Sequence, residues 1–291
     1  MLLRTEHLTK YYGRRHALDD LNLEVGAGET FGLLGPNGSG KSTALRLLLG
    51  FLRPTAGKAM IAGRDCWRDG VAARRHVAYL PGELRLYENM TGRELVRFLS
   101  NLRGRSIGPD IDVLARRFDI DLNRPIAQLS SGMKRKVALL QVLNARAPLV
   151  IMDEPTNTLD PNMRDELLEQ VRVARAQGQA VLFSSHVLSE VEQVCDRVAV
   201  LRNGCLVHVQ TMAELREGRL VRARLNGPWD EDAALPDGLR LRAHEKDHLT
   251  LEYHGPLPEL LAWLARQPLA DLRLEPLGLA SIYFRFHGAD A

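Results

Sequence analysis

Hydrophobic and polar positions follow two periods that take turns along the chain. Short apolar runs bounded by polar residues or glycine predict buried β-strands at 18–25, 30–34, 77–80, 149–152, 180–184, 197–201 and 206–209. Apolar residues repeating every three to four positions predict amphipathic helices at 41–50, 91–102, 111–118, 132–144, 163–177 and 188–194. Strands that alternate with long helices predict an α/β fold with a mainly parallel, doubly wound sheet.

The pattern changes after Leu215, where turn-forming residues become frequent between short alternating stretches. A helix is expected at 258–266 and strands near 272–275 and 282–286. Residues 216–291 carry 10 Lys and Arg against 12 Asp and Glu, whereas residues 1–215 carry 29 against 24. We therefore expect two domains, 1–215 and a small α+β domain at 216–291.

Composition narrows the class of protein. The 291 residues are 45% hydrophobic and 26% charged, as in globular proteins, and the net charge of +3 gives no expectation of a nucleic-acid partner. Apolar runs are far shorter than the roughly 20 residues that span a bilayer, and charges interrupt the first ten residues, so we expect a cytoplasmic protein. Cys66, Cys195 and Cys205 are too widely spaced for a disulfide framework and are expected to be buried.

A phosphate-binding loop lies between a predicted strand and a predicted helix. The glycines are spaced as in that motif, and a Lys-Ser pair ends it, so that backbone N–H groups and the helix N-terminus can face phosphate oxygens. Lys41 is expected to reach the β- and γ-phosphates and the Ser42 hydroxyl to bind Mg²⁺. The expected nucleotide-binding residues of the loop are Gly35, Pro36, Asn37, Gly38, Ser39, Gly40, Lys41, Ser42 and Thr43.

Two carboxylates end the apolar strand predicted at 149–152. In α/β proteins ligands bind at the carboxyl ends of the strands, so Asp153 and Glu154 are expected to face the phosphate loop. Asp153 is expected to hold the Mg²⁺ shell, and Glu154 is expected to orient and polarise the attacking water.

A third motif, Leu129-Ser130-Ser131-Gly132-Met133, lies between these two and precedes a helix that Ser130 could cap. The order of phosphate loop, this signature, acidic strand end, Thr158-Leu159-Asp160 and Ser185-His186 resembles the ATP-binding-cassette ATPases over residues 1 to about 215. The resemblance implies a P-loop NTPase fold with an antiparallel β subdomain and a helical subdomain at about 83–147. It also implies Mg²⁺-dependent ATP hydrolysis.

Further roles are implied by the same resemblance. Ser130, Ser131, Gly132 and Met133 would bind ATP held by a second subunit, in a head-to-tail homodimer or a heterodimer with a similar ATPase. Tyr12 would stack on adenine, with Tyr11 as the competing choice. Asp160 would bridge the two sites, and His186 would contact the γ-phosphate.

The sequence departs from the family's pattern at three positions. A Gln that helps coordinate Mg²⁺ usually follows the Tyr-Leu-Pro stretch, but here Gly82 and Glu83 follow Pro81. Either Glu83 or water would supply the missing oxygen. Ser131 and Met133 stand where Gly and Gln are commonest, which implies a working but modest ATPase.

The resemblance implies a motor subunit of a membrane exporter of drugs or other hydrophobic compounds, bound to a separate permease at the inner face of the membrane. The alternatives are a cassette ATPase that acts on ribosomes or DNA, and a nucleotide-sensing scaffold. The last residues, around 279–286, resemble the appendage of the drug-export branch. That appendage would serve dimer contact, regulation or stability alone.

Overall fold

The computed structural model describes residues 1–104, 106–108, 110–229 and 235–287. The chain forms two compact units, Met1–Val209 and Gln210–Ala291. The division falls before a short helix, α8 (Met212–Glu217), which the boundary predicted after Leu215 would have cut. Within the described residues, no helix combines the length and the apolar composition needed to cross a bilayer.

Eleven strands, counted over the described residues, form one sheet in the order β6-β5-β1-β2-β11-β10-β4-β9-β8-β7, with β3 beside β1. The strands are β1 (Leu3–Tyr12), β2 (Arg15–Leu21), β3 (Glu24–Val25), β4 (Thr30–Leu34), β5 (Ala56–Ile61), β6 (Arg64–Asp65), β7 (Val77–Leu80), β8 (Leu149–Asp153), β9 (Ala180–Ser185), β10 (Arg197–Arg202) and β11 (Cys205–Thr211).

The sheet has a parallel part and an antiparallel part. β10, β4, β9, β8 and β7 pair in parallel, and β4, β8 and β9 are fully buried, as parallel strands covered on both faces are. β1 pairs antiparallel with β2, β3 and β5. Asn203 and Gly204, both with positive φ, connect β10 to β11 in a tight turn. The predicted α/β class, with its parallel sheet and antiparallel part, is confirmed.

Helices connect the parallel strands. They are α1 (Lys41–Leu48), α2 (Gly70–Arg74), α3 (Gly92–Leu102), α4 (Ile111–Arg117), α5 (Ser131–Asn144), α6 (Pro161–Ala176) and α7 (Leu188–Val194), with a 3₁₀ turn at Ile126–Gln128. The segment between β7 and β8 contains α3, α4 and α5. At the start of α3, Thr91 and Glu94 form a reciprocal capping box.

The second unit is built on a smaller antiparallel sheet. In its described part the strands β12 (Arg219–Leu225), β13 (Leu239–Glu245), β14 (His248–Tyr253) and β15 (Leu269–Pro276) lie in the order β13-β14-β12-β15. The helices are α8 (Met212–Glu217), α9 (Leu257–Leu264) and α10 (Leu279–His287). Alternate residues of the strands, such as Val221 and Leu251, pack against Leu260 and Leu264 of α9.

Two expectations are wrong. The strand predicted at 282–286 belongs to helix α10, because Leu279 and Tyr283, four residues apart, are the positions that this segment buries. Cys205 is exposed at the start of β11, whereas Cys66 and Cys195 are buried as expected. Burial raises the pKa of the Cys66 thiol to about 12.

Candidate nucleotide-binding site

The loop between β4 and α1 has a backbone that requires glycine. Gly35 has a φ of +153°, and a Cβ there would lie 2.5 Å from the carbonyl oxygen of Leu201. Gly40 has a φ of +107°, and its Cβ would lie 2.7 Å from the carbonyl oxygen of Ala17. The loop therefore passes close to neighbouring backbone on both sides, and α1 begins directly after it at Lys41.

Lys41 is buried beneath this loop, with 5% of its side chain exposed. Its ammonium group donates to the carbonyl oxygens of Gly35, at 2.6 Å, and Pro36, at 3.2 Å. Burial lowers the pKa of Lys41, and the negative charges of Glu154 and Asp153 oppose that shift. A partly desolvated ammonium group therefore lies within the phosphate loop.

The carboxyl end of β8 carries both predicted acids at a sharp turn. Asp153 is the last residue of the strand and is buried, and its Oδ1 accepts a hydrogen bond from the hydroxyl of Ser184 at 2.6 Å. Glu154 has a φ of +45°, and its N–H donates to the carbonyl oxygen and the hydroxyl of the same serine. Ser184 of β9 thus holds the Asp153 carboxylate and the backbone of Glu154.

The Glu154 carboxylate lies among three polar side chains. Its Oε1 is 4.0 Å from the Lys41 ammonium and 3.6 Å from Nδ1 of His186, and its Oε2 accepts from the Asn157 amide at 2.7 Å. His186 follows β9 and is half exposed. The structure therefore brings the phosphate loop close to Glu154 and His186, each of which lies more than 100 residues further along the sequence.

A surface cleft of about 400 Å³ extends from Lys41 and Glu154 to the N-terminal strands. Among the predicted residues it is lined by Tyr12, Asn37, Gly38, Gly40, Lys41, Ser42, Thr43 and Glu154. Tyr12 is half exposed, whereas Tyr11 stacks on His16 and donates its hydroxyl to Asp19. Arg15, His16 and Arg46 also line the cleft. The sequence did not single these out, because no motif marks an isolated basic residue.

The signature residues lie at the start of α5 and do not line this cleft. The Ser130 hydroxyl accepts from the N–H of Met133 at 3.3 Å and caps the helix. Ser130 and Ser131 are exposed, and Gly132 and Met133 are half-buried. A Cβ on Gly132 would lie 3.1 Å from the carbonyl oxygen of Thr158, so this helix end is close to the loop that leads to Asp160.

Asp160 and Glu83 are both exposed. The Asp160 carboxylate accepts from the N–H of Met163 and caps α6. The first residue of this helix is Pro161, a position that proline favours. At position 82, a Cβ would lie 3.5 Å from Oδ2 of Asp153, so it is Gly82 that adjoins the acid.

The donor set here suits Mg²⁺. Oδ2 of Asp153 faces the side of the site without a side chain at position 82, and the Ser42 hydroxyl lies at the end of the phosphate loop. Carboxylate and hydroxyl oxygens, completed by phosphate oxygens and water, are the ligands that Mg²⁺ takes. No cluster of three or more His, Cys, Asp or Glu suited to a metal occurs among the described residues.

Two buried charged residues at this site escaped the sequence analysis. Glu190 of α7 accepts from the hydroxyls of Thr156, at 2.9 Å, and Ser185, at 3.1 Å, and so connects the loops that follow β8 and β9. Arg135 of α5 donates to carbonyl oxygens around the turn after β8. Each stands in a stretch of other polar residues, so a sequence without coordinates gives no sign of its burial.

Comparisons with known proteins agree with this geometry. Residues 18–157 match the family model described as ABC transporter. The chain is 37% identical over 212 residues to the daunorubicin resistance ATP-binding protein DrrA3 of Streptomyces coeruleorubidus, covering 71% of this chain and 67% of that protein. It is 31% identical over 219 residues to the linearmycin resistance ATP-binding protein LnrL of Bacillus subtilis, covering 74% and 70%.

A solved structure, described as that of the ATP-binding subunit of an ABC transporter, matches with a TM-score of 0.70 and 32% identity. The match covers 74% of this chain and 92% of that one. The phosphate loop, the acidic turn after β8 and this similarity in sequence and fold lead to one assignment: the chain belongs to the ATP-binding subunits of the ABC transporter family, which are ATPases.

Proposed function

We propose that this chain hydrolyses ATP, with Mg²⁺, to drive a membrane exporter of drugs or other hydrophobic compounds. The observation that supports the proposal best is the place of the Glu154 carboxylate, 4.0 Å from the Lys41 ammonium and 3.6 Å from His186. Glu154 is held next to the phosphate loop, and Asp153 precedes it at the end of β8. Two acids placed in this way are the arrangement that phosphoryl transfer to water requires.

In this proposal the cleft binds the nucleotide along its length. Tyr12 packs against the adenine ring, and the loop N–H groups and the α1 N-terminus bind the phosphates. Lys41 exchanges its bonds to Gly35 and Pro36 for phosphate oxygens, which is favourable because an ammonium group binds anions more strongly than neutral carbonyls. Ser42 and Asp153 hold Mg²⁺, which neutralises phosphate charge when bound.

Glu154 accepts a proton from the attacking water as the water oxygen bonds to the γ-phosphorus and the bond to the β-phosphate oxygen breaks. The products are ADP and inorganic phosphate. Asn157 holds one carboxylate oxygen of Glu154, so the other stays directed at Lys41 and His186. His186, half exposed at the end of β9, then contacts the γ-phosphate.

The partner subunits follow from what the chain lacks in its own cleft. Ser130, Ser131, Gly132 and Met133 lie outside it, with their helix N-terminus exposed, so we assign them to ATP held by a second copy or a similar ATPase in a head-to-tail dimer. Asp160 lies in the loop that would connect the two sites. A separate permease would hold the dimer at the inner face of the membrane. The names of the two drug-resistance relatives support export.

A substitution of Glu154 tests the proposal. Glu154→Gln removes the proton acceptor but keeps the shape of the side chain, so phosphate release by the purified chain should fall by roughly 10²–10⁴-fold. ATP should remain bound, as measured by retention of labelled ATP on a filter. The matched control is Glu169→Gln on α6, whose exposed side chain pairs only with Arg172. Unchanged turnover in Glu154→Gln would exclude this mechanism.

The same assay separates the alternatives. An exporter subunit should show increased phosphate release when its co-purified membrane protein is added in lipid vesicles. Stimulation by RNA or ribosomes, with no response to the membrane protein, would instead favour a cassette ATPase that acts on ribosomes or DNA. ATP binding without phosphate release by the wild-type chain in any of these conditions would favour a nucleotide-sensing scaffold.

A further inference from the structure

Arg135 is the most deeply buried basic side chain next to the acidic turn, with 2% of its surface exposed. Its guanidinium donates to the carbonyl oxygens of Pro81 at 2.8 Å, Gly82 at 2.9 Å, Asp153 at 3.2 Å and Pro155 at 3.1 Å, and to that of Glu154. These oxygens come from two segments, the loop after β7 and the end of β8. Arg135 therefore links both to α5.

Burying the Arg135 guanidinium group costs free energy, which indicates a role for its contacts at the site. Taking a guanidinium group out of water is unfavourable, and hydrogen bonds to neutral carbonyls offset less of this cost than a carboxylate would. Burial accordingly lowers the pKa of Arg135, with the charges of Asp153 and Glu154 opposing the shift. The five N–H donors of arginine form a rigid planar fork, so they fix several acceptors in one relative position.

The linked segments all bear on hydrolysis. Asp153 and Glu154 carry the two acids, and the loop at Gly82 adjoins Oδ2 of Asp153. Position 82 has no side chain, so its fixed connection to the acidic turn is through its carbonyl oxygen and Arg135. Arg135 also lies five residues after Ser130 on the helix that begins with the signature, a rise of about 7.5 Å.

We propose that Arg135 is a positioning residue for ATP hydrolysis, which holds Gly82 and the Asp153–Pro155 turn against the signature helix and so sets the direction of both carboxylates. This inference rests on the proposed function. When the start of α5 meets a nucleotide on a second subunit, any shift of the helix reaches the acids of its own site through these hydrogen bonds.

The test compares Arg135→Gln and Arg135→Lys with Lys136→Gln in the full chain. Lys136 is the next residue on the helix, and among the described residues its ammonium group donates to the carbonyl oxygen of Asp119, at 3.5 Å. We expect Arg135→Gln to lower kcat by about tenfold or more, since small misplacements of reacting groups are that costly. Arg135→Lys should fall between, because one ammonium group reaches fewer of these oxygens, and Lys136→Gln should match the wild type.

Two further readouts distinguish positioning from general support of the fold. The Kd for ATP, measured with a fluorescent analogue, should stay within about twofold of wild type in Arg135→Gln, because the phosphate loop is untouched. The Mg²⁺ concentration for half-maximal activity should rise, because Asp153 is displaced. If Arg135→Gln does not fold, the same readouts on Arg135→Lys decide.

The proposal is overturned if both Arg135 variants hydrolyse ATP with the kcat and Mg²⁺ dependence of the wild type. It is also overturned if kcat and ATP affinity fall in parallel. Failure of the proposed function would look different, because the wild-type chain itself would then release no phosphate.

Discussion

Each of the two compact units has an apolar core, and the units differ in the polar groups that they bury. In the first, Lys41, Arg135, Asp153 and Glu190 are buried around the carboxyl ends of β4, β8 and β9, with Ser184, Ser185 and Thr156 between them. In the described part of the second, the buried charged residue is Glu252, which pairs with Arg242 on the neighbouring strand and with His254 just after β14.

The difference concerns what the buried charge is for. Glu252 is paired with Arg242 of β13 and with His254, two residues further along the chain, and these hydrogen bonds contribute to folding. Lys41 has two loop carbonyls and a carboxylate 4.0 Å away, an incomplete set for a buried ammonium group. Groups that must meet a ligand are left partly unsatisfied by the fold, whereas a structural charge is paired.

Replacing Lys41 should weaken ATP binding by the first unit without lowering its stability. Lys41→Met removes the group that we place on the phosphates, and ATP affinity should fall by roughly 10–100-fold. It also removes a charge that desolvation disfavours, so the free energy of unfolding without nucleotide should rise. Nucleotide titration and thermal unfolding by circular dichroism measure the two effects.

Lys58→Met is the control for this substitution. Lys58 is half exposed and pairs with Glu6, and neither residue lines the cleft. Its replacement should leave ATP affinity unchanged and alter stability by less than about 1 kcal/mol. A strong loss of stability in Lys41→Met would contradict the view that this charge is held for the ligand.

Replacing Glu252 should have the opposite pattern. Glu252→Gln leaves Arg242 without its charge partner, so the free energy of unfolding of the second unit should fall by about 1–3 kcal/mol while phosphate release is unchanged. Urea unfolding followed by tryptophan fluorescence reports this unit, because Trp229 and Trp263 both pack on its core. Substitution of Trp67, the third tryptophan, removes the signal from the first unit.

The contacts of Glu252 with Arg242 and His254 also make the stability of the second unit depend on pH. Burial raises the pKa of Glu252, but hydrogen bonds from Arg242 and His254 outweigh it and hold the pKa below its ordinary value of 4.5. The folded state therefore binds the proton less readily than the unfolded state. The stability that Glu252 contributes is present above pH 4.5 and is lost as the pH falls through the lower folded value. Glu252→Gln should lack this loss, and an identical acid profile would contradict the pairing.

The fold was predictable from sequence wherever a residue pattern is typical of a single kind of local structure. The buried strands β4, β8 and β9 are mostly apolar, and Thr91 and Glu94 mark the start of α3. The long first strand was missed because β1 changes register twice against β2 and includes His7 with a positive φ. Such irregularity erases the two-residue alternation that identifies a strand.

The site was predictable only in its motif residues. The phosphate loop and the acids after β8 have recognisable spacing, and their side chains meet in the structure. Arg135 could not be found in this way, because the sequence Lys134-Arg135-Lys136 is typical of an exposed helix face. Its burial depends on how α5 packs beside the ends of β7 and β8, which is a property of the tertiary structure.

The smallest expected effect is at Gly82, where the first unit has an opening beside a buried acid. Gly82 does not have a positive φ, and a Cβ would make ordinary contact with Asp153 at 3.5 Å, so the backbone accepts a side chain. Gly82→Gln adds an amide oxygen next to the proposed Mg²⁺ ligand, and the Mg²⁺ concentration for half-maximal phosphate release should fall by about two- to fivefold. Gly82→Ala supplies the Cβ without the oxygen and should leave that concentration unchanged. If Gly82→Gln and Gly82→Ala change this Mg²⁺ concentration equally, the effect comes from the backbone and not from the added oxygen. Water then already completes the ligand set at this position.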